Sequence, residues 1–255
     1  MLNEYQLSGK SALVTGVSRS IGIGAAIARG LASLGANVFT TYYRSFDGTG
    51  SRQEEAALIL SEMKAAGIKT GGFEADLSDI AAPKAIFDLA EETVGPIDIL
   101  VNNAACDYEC DIYSVTPDLL DAHYWVNLRG TTLLCAEFAA RHDGRPGGRI
   151  INLTSGQSID AMETNLPYAM TKGAVEVLTR ALSVSLKSKG ITVNAVDPGG
   201  TDTGWMSPEL MAGIEAKALY GRVGMPQDAT RLILFLASAQ AEWITGQVLH
   251  SRGGL

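Results

Sequence analysis

The chain has 255 residues, of which 46% are hydrophobic, enough to bury the core of one large domain. Its 28 acidic and 20 basic residues give a formal net charge of −8. This charge argues against a nucleic-acid-binding or anionic-membrane surface, and no apolar run reaches membrane-spanning length.

The first residues and the cysteines predict a soluble, cytoplasmic protein. Residues 1–10 lack a basic region followed by an apolar run, so we expect no signal peptide. Cys106, Cys110 and Cys135 are too few, and odd in number, for a disulfide framework. Cys106 and Cys110 lack the accompanying cysteine or histidine of a zinc site, so we expect no metal.

The first strand, turn and helix have the pattern of a dinucleotide-binding loop. Residues 10–15 (KSALVT) predict a strand that Gly16 ends, and an apolar helical periodicity follows as far as Gly35. Glycines let a backbone approach a pyrophosphate, and a helix N-terminus offers free N–H groups to it. A purely structural turn would show the same pattern. The candidate contacts are Gly16, Ser18, Arg19, Gly22, Ile23 and Gly24.

The second strand, residues 37–42, favours NADP(H) over NAD(H) as the cofactor. An NAD site wants an acidic residue about twenty positions beyond the glycines, to bind the ribose 2′-hydroxyl. Here the first carboxylate is Asp47, which already lies in the following loop. Arg44, together with Arg19, instead suits a 2′-phosphate through charge-assisted hydrogen bonds.

The rest of the chain alternates predicted strands and helices without repeats or linkers. This alternation predicts a single-domain, Rossmann-type α/β fold: a doubly wound parallel sheet of about seven strands with helices on both faces. Ligands in such folds bind beyond the carboxyl ends of the strands, where Gly16, Asp76, Asn102, Ser155 and Pro198 all fall. The further strands are predicted at 68–75, 97–101, 150–154, 191–196 and 246–250, and the longer helices at 80–94, 118–141, 167–186 and 227–237.

Ser155, Tyr168 and Lys172 are the candidate catalytic residues. Tyr168 and Lys172 lie four apart on a predicted helix and so share one face. A Lys ammonium at roughly 4 Å, with an effective dielectric near 20, would lower the tyrosine pKa by at most ~3 units. Tyr168 could then move a proton while Ser155 holds a carbonyl or alcohol oxygen. Because this spacing is common by chance, the context has to decide.

The context resembles the classical short-chain dehydrogenase/reductases from end to end. The landmarks are TG…GIG at 15–24, Asp76-Leu77, NNAA at 102–105, Asn127, Ser155, Tyr168-x-x-x-Lys172 and PGGTDT at 198–203. The resemblance implies a catalytic tetrad in which Tyr168 is the acid/base, Ser155 orients the substrate oxygen and Asn127 holds a water. In it, Lys172 lowers the tyrosine pKa and binds the nicotinamide ribose. The other cofactor contacts implied are Asp76, Leu77, Asn103, Ala104, Pro198, Gly199 and Thr203.

Two departures from the family pattern concern the glycine loop and the residue after NNA. Five residues separate Gly16 from the GIG at 22–24, where the family usually has three. Either two residues are inserted, which keeps the helix register, or Ser20 replaces the central glycine; we prefer the insertion. Ala105 replaces the customary glycine of NNAG, which adds a methyl group. Arg19-Ser20-Ile21 also resembles the loop of enoyl-acyl carrier protein reductases, but those space Tyr and Lys more widely.

We therefore expect an NADP(H)-dependent oxidoreductase that interconverts a small-molecule carbonyl and a secondary alcohol. Within the family, the general likeness is to 3-oxoacyl-acyl carrier protein reductases, and residues 204–220 would form the substrate lid. The alternatives are an NAD-dependent sugar or steroid-type alcohol dehydrogenase and a non-catalytic nucleotide-binding sensor. The resemblance also implies a homotetramer, or else a homodimer, without nucleic-acid or membrane partners.

Overall fold

A parallel β-sheet organises the chain in the computed structural model, which describes residues 5–43, 52–160 and 163–254. Its seven strands lie in the order β3-β2-β1-β4-β5-β6-β7, and every neighbouring pair is parallel. The strands are β1 (Ser11–Val14), β2 (Asn37–Tyr42), β3 (Thr70–Glu74), β4 (Ile99–Asn102), β5 (Arg149–Leu153), β6 (Thr192–Asp197) and β7 (Val248–His250). The predicted doubly wound Rossmann-type sheet is confirmed.

Helices cover both faces of this sheet and form two apolar cores. Ile27, Ile59 and Ile233 belong to the core on one face, and Phe87 and Phe138 to the core on the other. The helices are α1 (Ile23–Ser33), α2 (Arg52–Ala65), α3 (Ala82–Val94), α4 (Pro117–His123), α5 (Thr131–Arg141), α6 (Leu166–Ser185), α7 (Pro208–Glu215) and α8 (Pro226–Ala237). The apolar runs of the central strands are continuous because both faces of a parallel sheet are buried.

The strand order reverses at β1, which pairs with β2 on one side and β4 on the other. The connections after these strands therefore leave in opposite directions and open a crevice at their carboxyl ends. Gly16 follows β1 and Asn103 follows β4, so both predicted cofactor contacts border this crevice.

The predicted helix at 118–141 contains a structural irregularity that its sequence pattern does not show. α4 continues into a π-helical segment at Tyr124–Gly130, which passes into α5. The lid region also contains a helix that was not predicted, α7, with its N-terminus capped by the Ser207 side chain. Among the described residues, no helix is long and apolar enough to cross a membrane.

Candidate active site and cofactor cleft

The glycine loop is shaped by two glycines that allow close backbone contacts. Gly16 has a φ of 74°, and a Cβ there would lie 2.7 Å from the Cα of Ala104. A Cβ on Gly24, in the first turn of α1, would lie 2.5 Å from the carbonyl oxygen of Gly16. Gly22 meets nothing so close and occupies the N-cap of α1. Gly24 is thus the glycine that packs helix against strand, which supports the two-residue insertion.

The inserted residues form an ordered turn held at both ends. The backbone N–H of Gly22 donates to the Arg19 carbonyl at 3.0 Å, and that of Val17 donates to the carbonyl of Thr41 in β2 at 2.7 Å. The Glu55 carboxylate of α2 accepts from the Ser20 N–H at 2.6 Å. The longer loop is therefore fixed to β2 and α2.

Asn103 fastens the glycine loop to the end of β4. Its side-chain amide donates to the carbonyls of Thr15 (2.9 Å) and Gly16 (3.0 Å). The Thr15 hydroxyl accepts from the backbone N–H groups of Asn103 and Ala104, both at 3.1 Å. These bonds hold the two sides of the crevice at a fixed separation.

The crevice opens into a cleft of about 470 Å³, which most of the predicted cofactor residues line. Several residues that the sequence did not predict also line it, chiefly the aromatic residues Tyr43, Tyr108 and Trp125. Their spacing gave no signal, because they lie in three separate parts of the chain: at the end of β2, in the loop after β4 and in the π-helical segment. The predicted residues that line the cleft are Gly16, Ser18, Arg19, Gly22, Ile23, Gly24, Asp76, Leu77, Asn103, Ala104 and Thr203.

This cleft fits a dinucleotide cofactor. Its floor is a glycine cradle that any Cβ on Gly16 or Gly24 would fill, and helix α1 directs its N-terminus toward it. Asp76, Leu77 and Thr203 line the same cleft. The groups that an elongated phosphate-bridged ligand needs are therefore in one continuous crevice.

Two predicted cofactor contacts, Pro198 and Gly199, do not line this cleft, and the position of a third cannot be compared with it. Pro198 lines a separate cavity of about 210 Å³, and Gly199 lies against Arg252 near the carboxyl terminus. Arg44 lies outside the described residues. Arg19 lines the cleft, and its guanidinium donates to the Thr203 hydroxyl at 3.3 Å, which joins the glycine loop to the segment after β6.

Helix α6 carries Tyr168 and Lys172 toward the end of β5. Pro167 occupies its first turn, as predicted. The Lys172 ammonium donates to the carbonyl of Leu153 at 2.8 Å and lies 5.5 Å from the centre of the Tyr168 ring. The Thr154 hydroxyl donates to the Lys172 carbonyl at 3.1 Å. Lys172 is thereby joined to the two residues that precede Ser155, and Ser155 itself is extended (φ −149°) and half-buried.

Asn127 is in the π-helical segment, and its side chain fastens the loop after β4. Its amide oxygen accepts from the N–H of Cys106 at 2.8 Å, while its amide nitrogen donates to the Cys106 carbonyl at 2.9 Å and to the Thr171 hydroxyl at 3.2 Å. Single π-helical turns are common at functional sites. The side chain thus links the cleft to α6, one residue before Lys172.

The expected lowering of the Tyr168 pKa is wrong for this arrangement of charges. Burial, together with the carboxylates of Asp107 and Asp197, raises the pKa of Tyr168, although part of the ring stays exposed. The Lys172 ammonium lies over the ring and bonds to a backbone carbonyl. Burial lowers the pKa of Lys172 to about 8.

The sequence argument also missed a buried carboxylate on α6. Glu176 lies one turn beyond Lys172, and its carboxylate accepts from the hydroxyls of Thr154 (3.2 Å) and Ser158 (2.8 Å). The carboxylate therefore binds residues on both sides of Ser155, which anchors this turn to α6. The i, i+4 spacing from Lys172 was the signal available for it.

The chain also resembles known proteins over almost its whole length. A family model described as enoyl-(acyl carrier protein) reductase matches residues 16–255. The uncharacterized oxidoreductase YjdA of Bacillus subtilis is 44% identical over 96% of each chain. The NADPH-dependent aldehyde reductase 2 of Arabidopsis thaliana is 36% identical, over 97% of this chain and 94% of the relative. The crystal structure of a blue fluorescent protein from a metagenomic library, in complex with NADPH, has a TM-score of 0.89 at 33% identity, covering 98% of each chain.

The chain belongs to the short-chain dehydrogenase/reductase family. The resemblance read from its motifs is confirmed, and the protein is an NAD(P)-dependent oxidoreductase of this family. Among the described residues, no three His, Cys, Asp or Glu side chains are grouped as a metal site would need.

Proposed function

We propose that this short-chain dehydrogenase/reductase interconverts a carbonyl and a secondary alcohol with NADP(H), using Tyr168 as its acid/base. The observation that carries the proposal is the path from Tyr168 through Lys172 to the Leu153 carbonyl, two residues before Ser155. This path puts the acid/base helix and the serine turn on one scaffold beside a glycine-lined cleft. NADP(H) would supply or accept the hydride, and the residues named here would handle the proton.

Each catalytic side chain has one task in this proposal. The Ser155 hydroxyl binds the reacting oxygen, and Tyr168 donates a proton to that oxygen in reduction or takes it back in oxidation. The Lys172 ammonium stabilises the negative charge that a deprotonated Tyr168 would carry. Asn127, whose amide is bonded to Cys106 and Thr171, positions the loop after β4; the water that the family resemblance assigns to it stays a prediction.

Tyr168→Phe tests this proposal. The substitution removes one hydroxyl, and carbonyl reduction should fall by at least ~100-fold while NADPH still binds. Tyr113→Phe is a matched control, because Tyr113 is 95% exposed and lies outside the cleft. Unchanged reduction by Tyr168→Phe would overturn the proposal and favour the non-catalytic sensor.

The preference for NADP(H) rests on the charges near the end of β2. Tyr42 and Tyr43 stand where an NAD site would have its carboxylate, and Arg19 lines the same cleft. The relative and the solved structure reported above are each described with NADPH. We expect NADPH to bind more tightly than NADH. Arg19→Gln should lower the affinity for NADPH by roughly 10–100-fold, as the loss of a charged hydrogen bond would, and leave the affinity for NADH unchanged. Tighter binding of NADH would contradict this assignment.

Residues 204–220 are the proposed substrate lid. Met206 and Ile214 rest on Gly200, and Ile21 of the glycine loop approaches Gly204, so the start of the segment contacts the glycine loop. Trp205 (60% exposed) and Leu210 present apolar surface suited to an apolar substrate. A panel of 3-oxoacyl thioesters, simple ketones, sugars and steroids, each assayed by NADPH oxidation, tests the 3-oxoacyl assignment. A preference for sugars or steroids would refute it.

A homotetramer, or a homodimer, is the proposed assembly. α6 exposes Met170, Val177 and Val184, each by more than 60% of its surface, whereas Leu182 packs into the core. Exposed apolar rows of this kind mark protein interfaces. Light scattering should give a multiple of the 26.9 kDa chain, and Val177→Asp should reduce it. A monomeric native protein would remove the proposal.

A further inference from the structure

The last described residues, 251–254, form a strap across the carboxyl ends of β5 and β6. The N–H of Ser251 donates to the Asp197 carbonyl at 2.8 Å, and the Gly253 carbonyl accepts from the N–H of Leu219, at the end of the lid region, at 2.9 Å. The strap therefore touches both the turn that begins at Pro198 and the lid. It follows β7 directly, so the sheet fixes its starting point.

Arg252 is the residue through which the strap reaches the serine turn. Its guanidinium donates to the Asp160 carboxylate at 2.5 Å, and its Nε lies 3.6 Å from the Asp197 carboxylate. The side chain is only 14% exposed. Arg252 thus contacts both the segment after β5 and the end of β6. Its partner Asp160 is 92 residues away in the sequence.

Two glycines are shaped to receive Arg252. A Cβ on Gly156 would lie 2.7 Å from the Arg252 Cζ and 2.8 Å from an oxygen of Asp197. Gly199 has a φ of 63°, and a Cβ there would lie 2.9 Å from the Arg252 Cα. The residue that follows Ser155 therefore rests directly on the guanidinium, and any side chain at position 156 would displace it.

Asp197 is the charge that Arg252 balances. It is 1% exposed, and its carboxylate also binds the N–H of Gly199 (2.9 Å) and the Nδ1 of His250 (2.9 Å). A buried carboxylate needs such partners, because an unpaired charge in a low-dielectric site is costly. Asp197 also acts on Tyr168, whose pKa it raises.

Titratable groups on three elements lie near Tyr168 or act on its pKa. Lys172 lies on its own helix α6, Asp107 and the Cys106 thiol lie in the loop after β4, and Asp197 lies at the end of β6. Arg252 is the cation that faces Asp197 beside His250. The strap therefore supplies a positive charge beside a carboxylate that acts on Tyr168.

We propose that Arg252 is a positioning residue for the proposed reaction: it holds the Ser155–Gly156 turn in place and offsets the buried Asp197 charge at the end of β6. The proposal rests on the acid/base assignment of Tyr168 and names a residue that the family resemblance did not supply. It assigns to the carboxyl-terminal strap a function in the site rather than in the sheet alone.

Arg252→Gln removes the positive charge at this position, and Arg252→Lys keeps it. With the cation removed, the uncompensated Asp197 carboxylate should hold the proton on Tyr168 more tightly. The pH midpoint of kcat for alcohol oxidation, in which Tyr168 must lose that proton, should therefore move upward by roughly 0.5–1 unit, less than a directly adjacent charge would give. Arg252→Lys should keep the native midpoint. Arg252→Gln combined with Asp197→Asn should restore it, because the uncompensated carboxylate is then absent. In Arg252→Gln, the backbone amides of residues 156–160 should exchange hydrogen faster, since the turn loses its support.

Arg222→Gln is the matched control. Arg222 and Arg252 both line the cavity of about 210 Å³, but the Arg222 guanidinium pairs with Asp228 and not with Asp197. An unchanged pH midpoint in Arg252→Gln, or an equal shift in Arg222→Gln, would overturn the proposal. So would a double variant that fails to restore the midpoint although it is folded. Failure of the proposed function would show differently, as a Tyr168→Phe variant that keeps its activity.

Discussion

Substituting Gly24 by alanine tests which glycine packs helix α1 against the first strand. The added Cβ would lie 2.5 Å from the Gly16 carbonyl oxygen and 2.7 Å from the Asn103 amide nitrogen. An ordinary carbon contact needs about 3.5 Å, so α1 or the loop must move by roughly 1 Å. Overpacking of this kind costs about 1–3 kcal/mol. For a chain of this size, we expect the melting temperature to fall by roughly 2–10 °C.

Gly22→Ala should behave differently, because its Cβ would meet only the Arg19 carbonyl, at 3.2 Å. A shift of a few tenths of an ångström relieves that contact, so thermal unfolding without cofactor should be nearly unchanged. The methyl group would still stand at the N-cap of α1, where a pyrophosphate approaches, and NADPH affinity should drop. Gly213→Ala in α7, with open space around it, is the control for both measurements. A larger loss of thermal stability in Gly22→Ala than in Gly24→Ala would refute the packing role of Gly24.

Three further predictions concern single side chains in and beside the site. Asn103→Asp exchanges the amide that donates to two carbonyls for a carboxylate that repels them, so the melting temperature and NADPH affinity should both fall. Equal values in the native protein and the variant would show that these two hydrogen bonds do not hold the glycine loop. Burial raises the pKa of the Cys106 thiol to about 12, so it should react with a thiol reagent only after unfolding, which mass spectrometry of the labelled chain checks. Because native Lys172 (pKa about 8) releases its proton before the unfolded chain does, the free energy of unfolding should rise between about pH 8 and 10 by about 3 kcal/mol. Lys172→Met, compared at equal protein concentration, should lack this rise, and an identical rise would show that Lys172 is not its source.

The strand pattern and the glycine loop were predictable because they depend on local sequence. Buried parallel strands appear as continuous apolar runs, and a tight turn beside a phosphate site requires glycine. The sequence left open whether the loop has a two-residue insertion or Ser20 replaces the central glycine, and the helix register favoured the insertion. The contacts of Gly22 and Gly24 in the structure agree with that register.

The features that were missed depend on contacts between distant parts of the chain or on small changes of helical period. The π-helical segment at Asn127 has the same apolar periodicity as an ordinary helix over so few residues. The bond between Arg252 and Asp160 joins residues 92 apart, and no local pattern announces it. Tyr43, Tyr108 and Trp125 come from the end of β2, the loop after β4 and the π-helical segment, and they line one cleft only in the folded chain.

The Tyr168 pKa shows why a residue pair read from spacing can give the wrong sign. The sequence estimate placed the Lys172 ammonium at about 4 Å and gave it no other partner. In the structure that ammonium extends past the ring to the Leu153 carbonyl, while Asp107 and Asp197 approach from elements that the spacing does not include. Burial then acts on both groups in opposite directions, raising one pKa and lowering the other.

These two shifts predict how the reaction depends on pH. At pH 7, Tyr168 keeps its proton and Lys172 is charged, which suits donation of a proton to a carbonyl oxygen. Above about pH 8, Lys172 becomes neutral and no longer stabilises the phenolate that donation leaves behind. We therefore expect the rate of carbonyl reduction to fall as pH rises through about 8. In a Lys172→Arg variant that still reduces the substrate, the fall should disappear from this range, because a guanidinium stays charged. A native reduction rate that stays constant from pH 7 to 10 would show that the Lys172 charge does not support the proton transfer.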